Sequence, residues 1–335
     1  MSEGILKGRN LLTLFDFNNK EIKYLLSFAH KLKQNKKNGI TGNRLENKNI
    51  ALIFEKPSTR TRCAFAVGAK DENGTTEYLG KNDIQLGKKE TIADTARVLG
   101  RMFDGIQYRG FAHKTLELLA DNAGVPVWNG LTDKYHPTQV LADLMTVQEN
   151  FDNLDDLKFV YVGDGRNNVA NSLMIGTSLM GIDFKIVSPR ELWPKKFLID
   201  RCRQLIKTDA GSIEITEDPV KGVKGANIIY TDVWVSMGEE EKFSERIEML
   251  KPYQVNGEMI NNCGHKNLVF MHCLPAYHNK NTENGKMIYK KYGIKEMEVT
   301  DEVFESDYSR VFDQSENRMH TIKAVMVSTL GNIIN

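Results

Sequence analysis

The chain has 335 residues, 41% of them hydrophobic and 27% charged, enough core-forming material for two domains at roughly 100–200 residues each. With 45 basic residues against 44 acidic ones the formal net charge is +1, which leaves no global field to hold DNA, RNA or an acidic membrane. A small local cluster of arginines aimed at one small anion is still compatible with that balance.

The first apolar stretch, Leu11-Leu12-Thr13-Leu14-Phe15, lies behind Lys7 and Arg9 and is too short for a signal peptide. No run approaches ~18 apolar residues, so no membrane span is expected. The four cysteines, Cys63, Cys202, Cys263 and Cys273, form no C-x-x-C pair and are too sparse for a disulfide scaffold. The expectation is a soluble, cytoplasmic protein. Lysines crowd residues 31–37, read here as a solvated helix end. Short β-branched or aromatic runs follow at 50–54, 76–79, 105–108, 125–128, 158–162, 183–187, 212–216, 227–231 and 267–272. Helical patterns separate them, among them 91–103, 114–122, 137–150 and 168–180. Strands separated by helices predict an α/β fold of parallel sheets with helices on both faces. A polar break at 150–156 marks a domain boundary. Parallel sheets bind ligands at the carboxyl ends of their strands, so chemistry is sought just after each strand.

After the first strand comes Ser58-Thr59-Arg60-Thr61-Arg62, opening a helical pattern. A helix N-terminus gathers free N–H groups and positive dipole, and Arg adds a planar fork suited to phosphate. The plainer reading is an N-cap with surface arginines. The third strand ends in Arg109-Gly110, a weak anion signal alone. His136-Pro137-Thr138-Gln139 then opens a helix with Pro at its favoured first position. His136 can meet a carbonyl oxygen and Gln139 an amide NH₂, the two features of a carbamoyl group. Gly163-Asp164-Gly165 starts a dinucleotide fingerprint but lacks its third glycine, and Val187 is followed by Ser188-Pro189 with no acid for a ribose. This argues against a nicotinamide cofactor. Asp232, ahead of Val233-Trp234-Val235-Ser236-Met237-Gly238, can pair a cationic amine, while Ser236 and the Met237 backbone can hold the other end of an amino acid. The last strand ends in His272-Cys273-Leu274-Pro275. Metal ligation by His265, His272, Cys273 and His278 is disfavoured, because the spacings fit no zinc pattern and adjacent strand residues point to opposite faces.

These motifs, in this order from near the N-terminus to the last helix, resemble the aspartate/ornithine carbamoyltransferase family. Ser-Thr-Arg-Thr-Arg resembles its carbamoyl-phosphate loop, His-Pro-Thr-Gln and Arg109 its carbamoyl motif, and His-Cys-Leu-Pro with Asp-x-x-x-Ser-Met-Gly its ornithine branch. The resemblance implies two domains, each a parallel sheet flanked by helices. Residues 1–150 would bind carbamoyl phosphate, joined by a C-terminal helix at 319–335 that packs back on this domain, and 151–318 would bind ornithine. It implies carbamoyl transfer from carbamoyl phosphate to L-ornithine, in arginine biosynthesis or arginine-deiminase catabolism, with no metal or organic cofactor. Arg60, Arg109, His136 and Cys273 are the implied catalytic residues. Ser58, Thr59, Arg60, Thr61, Gln85, Arg109, His136, Gln139, Cys273, Leu274 and Arg318 are implied for carbamoyl phosphate. Gln85 belongs to a loop reaching the neighbouring subunit, and Arg318 starts the last helix. Asn168, Asp232, Ser236 and Met237 are implied for ornithine. The implied assembly is a homotrimer, or a multiple of trimers, with sites shared between subunits. Competing readings are a transferase for putrescine or an N-acylated ornithine, a Rossmann-type dehydrogenase, and a non-catalytic binding protein on the same scaffold.

Overall fold

Nine strands and thirteen α-helices alternate along residues 6–154, 156–206, 211–235 and 240–331, which the computed structural model describes. The order is α1 Asn19–Lys37, β1 Asn49–Phe54, α2 Thr59–Lys70, β2 Thr75–Gly80, α3 Ile92–Met102, β3 Gly105–Arg109, α4 His113–Ala123, β4 Val127–Leu131 and α5 Pro137–Asn150. It continues with β5 Lys158–Val162, α6 Asn168–Met180, β6 Asp183–Val187, α7 Lys196–Arg203, β7 Ile213–Thr216, α8 Pro219–Val223 and β8 Ile228–Thr231. The chain closes with α9 Phe243–Leu250, α10 Gly257–Cys263, β9 Val269–His272, α11 Glu283–Tyr292, α12 Asp301–Phe304 and α13 Val311–Leu330. All nine predicted strands are present. None of the described helices is long and apolar enough to cross a membrane.

Two compact units result: the described residues up to Met145 with those from Ser315 onward, and Thr146–Gln314. The first unit carries a four-stranded parallel sheet in the order β2-β1-β3-β4. Strand β1 is buried at every position but the first, the near-continuous apolar run of a parallel strand covered on both faces. Ala51, Ile53, Ile106 and Tyr108 pack with Leu116 and Leu119 of α4. A fully buried large apolar side chain of this kind contributes roughly 1.5–3 kcal/mol.

Strand β4 starts two residues later than predicted and runs on to Leu131. Pro126 has no N–H to donate; its carbonyl accepts from the Ile106 N–H. Gly130 lies against the Gln107 side chain of β3, which would have to shift to admit a Cβ.

Helix α1 starts with a reciprocal cap between Asn18 and Glu21 and buries Ile22, Leu25, Leu26, Ala29 and Leu32 on one face. Its lysine-rich end is not simply solvated. Lys33 is buried, and its ammonium donates to Asn317 Oδ1 at 2.7 Å. Lys36 and Lys323 both reach Asp71, each at 2.7 Å. Trp128 Nε1 donates to Thr329 Oγ1 at 3.0 Å. From Ser315 onward α13 therefore packs on the first unit, as the resemblance implies. The helix begins earlier than expected, however, and Arg318 lies within it rather than at its start. Residues 311–330 hold no glycine or proline to interrupt it.

In the second unit five parallel strands run in the order β7-β6-β5-β8-β9. Val160, Val162, Ile229 and Phe270 form a core with Trp234 and Leu250. The carboxyl ends of β5, β8 and β9 lie side by side, because these strands are neighbours in the sheet.

Candidate functional site

In the first unit the turn after β1 leads into α2. Ser58 caps that helix, its hydroxyl accepting from the Thr61 N–H at 3.2 Å. The first turn holds no acidic residue, so the positive helix end is not neutralised by its own side chains. Thr61 is fully buried, and its hydroxyl oxygen is the meeting point of two arginines. Arg109 Nη1 from β3 lies 3.4 Å away, and Arg318 Nη1 from α13 lies 3.5 Å away. Arg60 projects from the same first turn and is half-buried.

His136 precedes α5 and is almost completely buried. Its pKa lies well below the usual histidine range, chiefly through burial and then through the positive charges of Arg318, Arg109 and Arg60. The imidazole is therefore neutral at ordinary pH, able to donate one hydrogen bond without adding a fourth positive charge. Thr138 Oγ1 stands 3.4 Å from its Nδ1. Gln139, in the first turn of α5, is buried, and its amide nitrogen donates to Asp143 Oδ1 at 2.6 Å. Thr61, Arg60, Arg109, His136 and Arg318 thus form one electropositive cluster. Gln85 is exposed on the loop between β2 and α3.

The second unit carries its own cluster at the ends of β5, β8 and β9. Asp232 follows β8 and is buried. Its Oδ1 accepts from Cys273 Sγ at 3.1 Å and from the Val233 N–H at 2.8 Å. Its Oδ2 accepts from Asn167 Nδ2 at 3.0 Å, and the same nitrogen lies 2.8 Å from the Tyr161 hydroxyl. Burial pushes the Asp232 pKa up, opposed by His272 and by the Cys273 hydrogen bond. A buried carboxylate biased toward neutrality in this way gains most from a cationic partner. Asn168 starts α6 beside Asn167, which caps it. Ser236 and Met237 lie outside the described residues.

Asn167, which the sequence analysis did not name, holds Asp232. Sequence reasoning also missed Glu298, fully buried like His272, with Oε1 lying 3.4 Å from His272 Nε2 and accepting from the Tyr277 N–H at 2.6 Å. The signal was present: a Glu between buried Met297 and Val299 needs a partner. His272 Nδ1 accepts from the Leu274 N–H at 2.9 Å, which places the ring proton on Nε2, facing Glu298. Leu274 has a φ of 59°, a left-handed conformation that costs a non-glycine residue roughly 1 kcal/mol or more and is concentrated at ligand sites. Its bond to Pro275 is cis.

The argument from opposite strand faces fails for His272 and Cys273. Cys273 lies past the last residue of β9, and the left-handed Leu274 follows at once. One ligand atom each of Asp232, His272 and Cys273 consequently fall within 4.8 Å of one another. His265 does not join them, and His278 instead meets Asp301 and Glu305. Within the first group the donors already serve each other or the backbone, through the Cys273–Asp232 and Leu274–His272 bonds.

Comparison with known proteins matches both units. Residues 9–149 fit the aspartate/ornithine carbamoyltransferase carbamoyl-P binding domain, and residues 155–329 fit the Asp/Orn binding domain of the same family. The chain is 60% identical over 333 residues to a catabolic ornithine carbamoyltransferase from Bacillus thuringiensis, covering 99% of each chain. It is 57% identical over 329 residues to a catabolic ornithine carbamoyltransferase from Streptococcus ratti, covering 98% of each. Among solved structures, the ornithine carbamoyltransferase from Pyrococcus furiosus superposes with a TM-score of 0.90 at 44% identity, over 98% of this chain and 99% of that one. With both family domains matched in order over nearly the whole length, the chain belongs to the aspartate/ornithine carbamoyltransferase family.

Proposed function

We propose that this protein transfers the carbamoyl group of carbamoyl phosphate to the side-chain amine of L-ornithine, giving L-citrulline and phosphate. The observation that carries the reading is the buried Thr61 hydroxyl between Arg109 and Arg318, beside a neutral His136, at the open N-terminus of α2. Three positive groups and one neutral donor gather there, the charge and hydrogen-bonding chemistry that a small phosphorylated carbonyl compound needs. In the second unit, Asp232 with Cys273 and Asn167 offers a carboxylate for an amine.

The first unit binds the phosphate through Ser58, Thr59 and Arg60, with Gln85 contributed by a neighbouring subunit. Thr61, Arg109 and His136 donate to the carbonyl oxygen as it gains charge in the tetrahedral transition state. Arg318 stands beside them on the carbamoyl side. One such donor is typically worth about 3–4 kcal/mol of barrier. Gln139 and the Leu274 carbonyl accept from the carbamoyl NH₂. Asp232 and Cys273 position ornithine, whose amino-acid end is taken by Asn168, Ser236 and the Met237 backbone. The neutral amine attacks the carbonyl carbon, a C–N bond forms and the C–O bond to phosphate breaks. The surplus amine proton leaves on the departing phosphate, so no dedicated protein base is required. The family's trimeric assembly is proposed for this chain too, with the exposed Gln85 as the residue a neighbouring subunit would receive.

The catabolic designation of the Bacillus and Streptococcus relatives favours physiological flux from citrulline and phosphate toward carbamoyl phosphate. The test is an assay panel of carbamoyl phosphate with ornithine, N-acetylornithine and putrescine, together with the saturation curve for carbamoyl phosphate. Citrulline formation from ornithine alone is expected, with weak, cooperative saturation for a catabolic enzyme. Preference for putrescine or the acylated amine would refute the substrate assignment.

A further inference from the structure

The Gln139–Asp143 pair has a direction. Both residues lie on α5, four apart on one face, and both are at most 1% exposed. They stand 2.6 Å apart. A carboxylate oxygen only accepts, so the amide must turn its NH₂ to Asp143; the opposite orientation would press two acceptors together. This leaves Gln139 Oε1 facing the other way. That oxygen is buried and has no hydrogen-bond partner among the described residues. An unpaired buried acceptor is costly, and its cost is removed only by a ligand that brings a donor.

We infer that Asp143 is a positioning residue that fixes the orientation of the Gln139 amide and thereby selects a carbamoyl phosphate over an acyl phosphate. The inference rests on the proposed function and deepens it. Carbamoyl phosphate presents an N–H to Gln139 Oε1. Acetyl phosphate has the same shape but a methyl group there, and it leaves the acceptor unpaired. A site built around a buried polar group rejects the analogue lacking its partner far better than an apolar pocket rejects an isostere. Without Asp143 the amide can rotate, present NH₂ to NH₂, and lose the distinction.

The test compares the KM for carbamoyl phosphate with the inhibition constant of acetyl phosphate in four proteins: wild type, Asp143→Asn, Gln139→Glu and the double variant. Asp143→Asn is expected to raise the KM for carbamoyl phosphate about tenfold, the effect of one lost hydrogen bond. The acetyl phosphate constant is expected to stay within about twofold, because that ligand never used the bond. Gln139→Glu alone sets two carboxylates side by side and is expected to be the worst of the four. The double variant exchanges amide and carboxylate. The new amide at 143 donates to the new carboxylate at 139, whose other oxygen still faces the ligand, and the pair keeps its net charge. Preference for carbamoyl phosphate is expected to return. Equal weakening of both ligands in Asp143→Asn would overturn the inference, as would a double variant no more selective than Gln139→Glu. The latter comparison decides the matter by itself if Asp143→Asn alone does not fold by circular dichroism. A wild-type protein that forms no citrulline from carbamoyl phosphate would instead overturn the underlying function. Wild-type turnover with an unchanged preference in Asp143→Asn overturns only the positioning role.

Discussion

Replacing Arg109 with methionine separates what that arginine does for catalysis from what it does to the fold. Arg109 and Arg318 both place a guanidinium nitrogen near the Thr61 hydroxyl, at 3.4 and 3.5 Å. Their charges are therefore about 7 Å apart or less, and at an effective dielectric of about 20 they repel by roughly 2 kcal/mol. Arg60 adds further positive charge, felt along with the other two at His136. The unliganded protein carries this repulsion permanently; a bound phosphate relieves it. Arg109→Met keeps an unbranched apolar stem in the buried space and removes one charge. Turnover is expected to fall about 10²–10³-fold, the usual loss for one donor to a developing oxyanion. The ligand-free protein is expected to be no less stable and to gain up to about 2 kcal/mol, a rise of a few degrees in melting temperature at about 2–4 °C per kcal/mol. Scanning calorimetry with and without carbamoyl phosphate, beside a citrulline assay, reads both effects. If the variant melts well below wild type and loses activity only in proportion to its unfolded fraction, Arg109 is a structural residue and the reasoning is wrong.

Two further outcomes are expected. Cys273→Ala removes the thiol that donates to Asp232 and is expected to weaken ornithine binding about tenfold, more than it weakens carbamoyl phosphate binding. Isothermal titration with each ligand checks this, and a selective loss of carbamoyl phosphate binding would contradict it. His320, buried on α13, has its pKa pushed down to about 4 by burial and by Lys323, against the opposing pull of Glu316. Its folded pKa lies below the unfolded 6.5, so the stability it lends is complete above pH 6.5 and is lost as pH falls toward about 4. His320→Gln is expected to flatten the decline of stability in that window, read by urea denaturation at several pH values. An unchanged decline would show that other groups carry the acid sensitivity.

Much of the fold was legible because the signals were local. Runs such as residues 158–162 and 183–187 are bounded and apolar enough to fix strands to the residue. The substrate motifs were legible for a related reason: a parallel sheet places the residues after its strands at one edge, so linear position already implies spatial grouping. What escaped depends on partners far away in the chain. Lys33 reads as a solvent lysine until Asn317, 284 residues on, accepts its hydrogen bond. Glu298 has no meaning without His272 on β9, and Asn167 gains a role only because Asp232 comes to rest beside it. The late start of β4 followed from Pro126, but the closeness of Gly130 to the Gln107 side chain on the neighbouring strand could not be read from the sequence.

The discontinuity of the first unit bears on how the protein comes into being. Its sheet is complete once Leu131 has been synthesised, but Asn317, Arg318, Lys323 and Thr329 arrive only after the whole of the second unit. A nascent chain can therefore form the four-stranded sheet early, yet it cannot finish packing β4 and α1 or complete the Thr61–Arg109–Arg318 cluster until the second unit and α13 have been synthesised. Until then Thr61 waits for its second arginine, and no chain stalled before that point carries the complete anion-binding cluster. The last helix couples the competence of the anion site to the completed synthesis of the second unit.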